Sequence, residues 1–134
     1  MPLAKRIALI VLGVAMIGVG IRHFQDPAPF ERIVPAWLPS PHVIVLVSGF
    51  FEVLGGVGVL VPQTRRFAAW GLVALYIAVF PANVNMALNH VQLTPDGTLP
   101  VWAMWARLPL QFVLIAWAAW FTRPDAGGSA SRLR

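Results

Sequence analysis

VIVLVSGFFEVLGGVGVLV, Val43–Val61, is the stretch whose reading decides the fold: an unbroken apolar run closed by Pro62. At 1.5 Å per residue, a helix of this length matches the roughly 30 Å hydrocarbon core of a bilayer. Its one ionisable residue, Glu52, stands nine residues from either end, hence roughly 13 Å deep, about the midplane.

Three further runs of similar character lie on either side of it. Ile7–Ile21 follows Lys5 and Arg6, Phe67–Met86 follows Arg65 and Arg66, and Val101–Phe121 precedes Arg123. The composition agrees, since 58% of the 134 residues are hydrophobic and 11% charged, whereas a soluble domain needs about a quarter charged to wet its surface. The predicted fold is all-α: a transmembrane four-helix bundle formed by residues 1–123, with residues 124–134 as a disordered cytoplasmic tail.

The formal net charge of +5 does not mark a nucleic-acid partner, because the basic residues are scattered at the ends of apolar runs. Lys5 and Arg6 ahead of an apolar run also suggest a secretory signal, but Arg22, His23 and Phe24 follow it without a small-residue cleavage site, so a retained first helix is expected. With four crossings, Lys5, Arg6, Arg65, Arg66, Arg123, Arg132 and Arg134 share one side, and Arg22, Arg32 and Arg107 lie toward the other. The positive-inside rule then places both termini in the cytoplasm. Trp37, Trp102, Trp105, Trp117 and Trp120 fall near span ends, where an amphipathic ring favours the headgroup layer. Between His23 and His42, five prolines alternate with apolar residues; short turns lying on the bundle as a non-cytoplasmic cap are expected there.

Polar residues inside the runs carry the functional reading. A carboxylate at the midplane costs about 2.5–3.5 kcal/mol on insertion scales, so Glu52 should face inward, be protonated or be paired. Ser48, Glu52 and Gly56 share one helix face, and Gly49, Gly55 and Gly58 admit a close neighbouring helix. Arg107 is the expected partner of Glu52, with Gln111 one turn along the same face. Such a pair either fixes helix register or belongs to a reactive site. Pro81 and Pro109 leave the carbonyls of Ile77 and Trp105 without their helical donors; Asn83 and Asn85 either satisfy the backbone near Pro81 or contact a ligand. With His23 these groups suggest one polar pocket in the outer half of the bundle. His23, His42 and His90 match no metal-ligand spacing, no nucleophile elbow is present, and the absence of cysteine excludes thiol chemistry by this chain.

Four blocks, HFQDPAPFERIVPAWLPSP (His23 to Pro41), SGFFEVLGGVGVL (Ser48 to Leu60), FPANVNMA (Phe80 to Ala87) and RLPLQ (Arg107 to Gln111), together resemble the DoxX-like group of small four-helix membrane proteins. The resemblance implies a four-helix bundle of the bacterial inner membrane. It also implies a setting in quinone-linked oxidation of sulfur compounds, in membrane complexes with redox or detoxifying enzymes, or, more distantly, in chaperone or cargo roles.

The functional expectation is a redox-associated membrane component that binds a small lipophilic molecule, with a quinone as the candidate cofactor. Glu52 would carry a proton, and His23, Ser48, Asn83, Asn85, Arg107 and Gln111 would contact the ligand. The alternative is a non-enzymatic scaffold or assembly factor whose proline-rich cap meets a redox or other partner protein. A small transporter or channel ranks below both, because four short helices enclose little space without oligomerising.

Overall fold

The computed structural model describes residues 1–124. Among them are five helices and no strand: α1 (Leu3–Gln25), α2 (Ala28–Arg32), α3 (Pro41–Leu60), α4 (Arg65–Asn89) and α5 (Val101–Trp120). All but α2 are long and apolar enough to cross a membrane. An apolar run in lipid becomes helix because each backbone N–H and C=O must find its partner within the segment. The tail expected to be disordered lies, from residue 125, outside the described residues.

Helix ends follow the prolines. Asp26 takes extended backbone (φ −145°) ahead of Pro27, as residues before proline do, so α1 continues beyond Ile21 through His23 to Gln25. Pro41 occupies the first turn of α3, where its missing N–H costs nothing, and Val61 is extended before Pro62. The segment expected to form only turns contains α2, one short helix started by Pro27. Pro81 and Pro109 both sit inside helices, α4 and α5, that run on through them.

Packing proceeds α1 to α3, α3 to α4, α4 to α5. The α1–α3 contact is the closest, and glycine makes it so: a Cβ on Gly20 would lie 2.7 Å from the Gly49 carbonyl oxygen, and one on Gly56 2.7 Å from that of Gly13. Two pairs of glycines, each seven residues apart, therefore let two antiparallel backbones touch where lipid gives no hydrophobic drive for association. Gly55 and Gly58 do the same against Leu72 and Ala68 of α4.

Two apolar clusters bracket the interior. Leu9, Leu12, Met16, Val59, Leu72, Tyr76, Ala118 and Phe121 fill the half that holds the N-terminus of α1. Ile33, Met86, Ala87 and Met104 form a smaller cluster at the other end, which Ile33 joins from the α1–α3 connection. Phe50, Leu54, Ile77 and Phe112 remain outside, more than half exposed, as an apolar surface suited to acyl chains.

The end with Lys5, Arg65 and Arg66 is tied by its own basic side chains. Arg65 Nε donates to the Val59 carbonyl (2.8 Å), Arg66 Nε to that of Thr122 (2.9 Å), and Thr64 Oγ1 to that of Gly58 (2.7 Å). These bonds satisfy carbonyls that helices α3 and α5 leave open at their C-termini, where positive charge is also favoured. Lys5 Nζ lies 5.6 Å from the Trp120 ring, and Trp117 donates to the Ala8 carbonyl at 3.1 Å. Of the five expected interfacial tryptophans, Trp37, Trp102, Trp105 and Trp120 are exposed, while Trp117 is turned inward by that bond.

Candidate functional site

Between the two apolar clusters the bundle does not close. A cavity of about 360 Å³ remains, lined on the polar side by His23, Ser48, Glu52, Asn83, Arg107 and Gln111. Six of the seven residues expected to form a site are thus brought together by four different helices. The seventh, Asn85, is turned away: its Nδ2 donates to the Ile33 carbonyl (2.9 Å), and its Oδ1 accepts from Asn89 (2.7 Å).

The expected Glu52–Arg107 pair does not form. Glu52 Oε2 lies 3.2 Å from His23 Nδ1, and Arg107 Nε donates instead to Asn83 Oδ1 at 3.2 Å. Sequence depth fixes position along a helix axis but not which helices are neighbours; α3 and α5 are not among the closely packed helix pairs, and Glu52 and Arg107 line the cavity with different partners. The true neighbour of Glu52 follows from helix direction. Side chains lean toward the N-terminus of their own helix. In antiparallel α1 and α3, His23 therefore leans into the bundle and Glu52 leans up to meet it, beside Gly49, whose missing Cβ leaves room for the imidazole.

On the α4–α5 side a chain of amides runs inward. Arg107 donates to Asn83, Asn83 Nδ2 to Gln111 Oε1 (3.1 Å), and Gln111 Nε2 to the Tyr76 carbonyl (2.7 Å). The expectation that Asn83 or Asn85 would satisfy backbone near Pro81 is corrected here. Gln111 reaches that turn from α5, one residue before the carbonyl that Pro81 leaves open, because Asn83 is held between two α5 side chains.

On the α1–α3 side the polar groups are less complete. His23 is 6% exposed and stacks on Phe30, with centroids 3.8 Å apart; its Nδ1 donates to the Val19 carbonyl at 2.8 Å. That hydrogen is spent, so the approach of Glu52 to the same nitrogen is an electrostatic contact without a hydrogen bond. Glu52 is 8% exposed, and its Oε2 has no hydrogen-bond partner. A buried acceptor left in this state costs about 1–3 kcal/mol, more if charged. The site therefore has one wall of linked side chains headed by Arg107 and one wall with an unmet acceptor.

Sequence reasoning passed over Tyr76, whose hydroxyl donates to Met16 Sδ at 2.8 Å and closes the cavity floor; it placed Phe30 among the apolar residues of the α1–α3 connection without a partner, and Phe30 stacks on His23. The matching seven-residue glycine spacings of α1 and α3 were the available signal for the α1–α3 pairing, and hence for His23 beside Glu52. Among the described residues, no group of three or more His, Cys, Asp or Glu side chains is placed to hold a metal.

Four membrane-length helices around a polar interior define an integral membrane protein of the small helical-bundle class. The family described as Domain of unknown function (DUF8561) matches residues 12–122, and the chain belongs to it. No curated protein and no solved structure matches the chain.

Proposed function

We propose that the cavity receives the polar head of a small lipophilic molecule, with a quinone the best chemical fit, and that the protein serves as a redox-associated component of a bacterial inner membrane. The observation that carries the reading is the orphaned Glu52 Oε2 facing a cavity whose opposite wall presents Arg107 and an amide chain. A volume of about 360 Å³ falls at the small end of ligand pockets, roughly 300–1,000 Å³, enough for a substituted six-membered ring. A ring with oxygens at opposite ends would take a hydrogen bond from Arg107 at one and exchange a proton with Glu52 at the other.

The same reading takes the membrane orientation from the basic end, with Lys5, Arg65 and Arg66 cytoplasmic and the cavity opening in the outer half. The proline-rich α1–α3 connection is then the outer cover, and the motif blocks favour kinship with the DoxX-like group. The test is extraction of protein purified in mild detergent, with bound molecules identified by absorbance and mass. Quinone is expected with the native chain and at least about tenfold less with Glu52→Gln, a loss worth about 1.4 kcal/mol. Native protein without any quinone, or equal retention by both proteins, would end the proposal.

A further inference from the structure

The cavity's hydrogen-bonding groups divide by kind as well as by wall. On the α1–α3 side, His23 gives its Nδ1 hydrogen to the Val19 carbonyl, so in the neutral imidazole Nε2 holds a lone pair and no hydrogen. Nε2 has no partner among the described residues. Glu52, buried beside it, receives no hydrogen bond from any described residue. Ser48, one turn before Glu52 on α3, brings the one hydroxyl hydrogen of this wall, so acceptors outnumber donors. On the other side, Asn83 and Gln111 are committed to each other and to the Tyr76 carbonyl, and Arg107 Nε to Asn83 Oδ1. The terminal N–H groups of Arg107 remain, donors only, with no acceptor among the described residues.

We infer that the cavity selects a head with a hydroxyl at the end near Glu52 and an oxygen acceptor at the end held by Arg107. Within the proposed quinone reading, on which this rests, the preferred form is the quinol. A head with no hydrogen on its oxygens suits Arg107 but sets lone pair against lone pair at Glu52 and His23. A proton kept by the Glu52 carboxyl supplies one donor against several acceptors. A hydroxyl donating to a carboxylate makes a charge-assisted bond, stronger than one between neutral groups. An analogue without that hydrogen leaves a buried acceptor unpaired, which is how sites built around a ligand hydroxyl reject it. The rest of the lining competes for neither end: Val45, Leu75, Val79 and Leu114 are aliphatic and offer only contact to the ring.

The test is titration calorimetry on the full chain in detergent micelles, with empty micelles as the blank and two matched pairs of probes. Durohydroquinone and duroquinone, compared without oxygen, differ by the two hydroxyl hydrogens; para-methoxyphenol and para-dimethoxybenzene differ by one hydroxyl and have no quinone chemistry. In each pair the hydroxyl-bearing member should bind at least about tenfold more tightly, a difference of about 1.4 kcal/mol. Glu52→Gln, whose amide donates as well as accepts, should cut that preference below about threefold. Arg107→Gln should weaken both members of a pair and keep the preference. Melting of each variant shows whether its bundle is intact, and the comparison on the native chain stands without them. Equal affinity within the pairs, or tighter binding of the members without hydroxyl, overturns the inference while leaving a head-binding cavity in place. No binding of any of the four probes ends that reading and the inference together.

Discussion

At the scale of single residues, the interior is a set of hydrogen bonds with one place missing. Gln111 holds both Asn83 and the Tyr76 carbonyl, so Gln111→Leu strands a donor on α5's neighbour and an acceptor in its backbone. A loss of about 1–3 kcal/mol is expected, measured by unfolding in mixed micelles of rising SDS fraction. Asn85→Leu should cost less, about 0.5–1.5 kcal/mol, since Asn85 serves one part-buried carbonyl, that of Ile33; a larger loss than that of Gln111→Leu would contradict the network as described. His90 ends α4 in the left-handed region, φ 52°, on an exposed site where glycine is unstrained. His90→Gly is expected to stabilise by up to about 1 kcal/mol in the same titration. Position and chemical type of the polar residues were legible in the sequence, because a polar group within an apolar run must turn inward. Partnership was not, since two depths about one helix turn apart say nothing of neighbours, and Glu52 meets His23 while Arg107 meets Asn83.

At the scale of elements, glycine decides which helices touch. Gly20 and Gly18 are close in sequence but opposite in consequence: a Cβ on Gly20 meets the Gly49 carbonyl oxygen, whereas one on Gly18 meets nothing within 4 Å. Gly20→Val should therefore destabilise by at least about 1–3 kcal/mol, and Gly18→Ala should stabilise by about 0.5–1 kcal/mol through the lower entropy loss of alanine in a helix. Equal effects from the two, measured as above, would show that α1 does not sit on α3 through this face. The existence of the four long helices could be read from hydropathy alone. The extensions of α1 to Gln25 and α4 to Asn89 could not, because both helices run past the charged or amide residues that seemed to close them and are ended by local backbone geometry at Asp26 and His90.

At the scale of the whole molecule, the two ends differ in kind. One is basic and laced by side-chain bonds to helix carbonyls; the other holds the cavity and the proline-rich connection. The charge difference makes orientation testable on a chain free of cysteine. Gln63→Cys, in the α3–α4 connection, should react with an impermeant maleimide only from the cytoplasmic face, and Asp96→Cys, between α4 and α5, only from the opposite face; the reverse pattern would invert the topology. The same lopsided construction sets how the bundle can breathe. With α3, α4 and α5 riveted together at the arginines, that end should act as the fixed joint, and the adjustment to a guest should fall at the other, where the cavity lies. Seating a guest in the cavity should then change spacings at that end while leaving those near Thr122 unaltered, a difference that paired spin labels at the two levels would register as one distance that moves and one that stays.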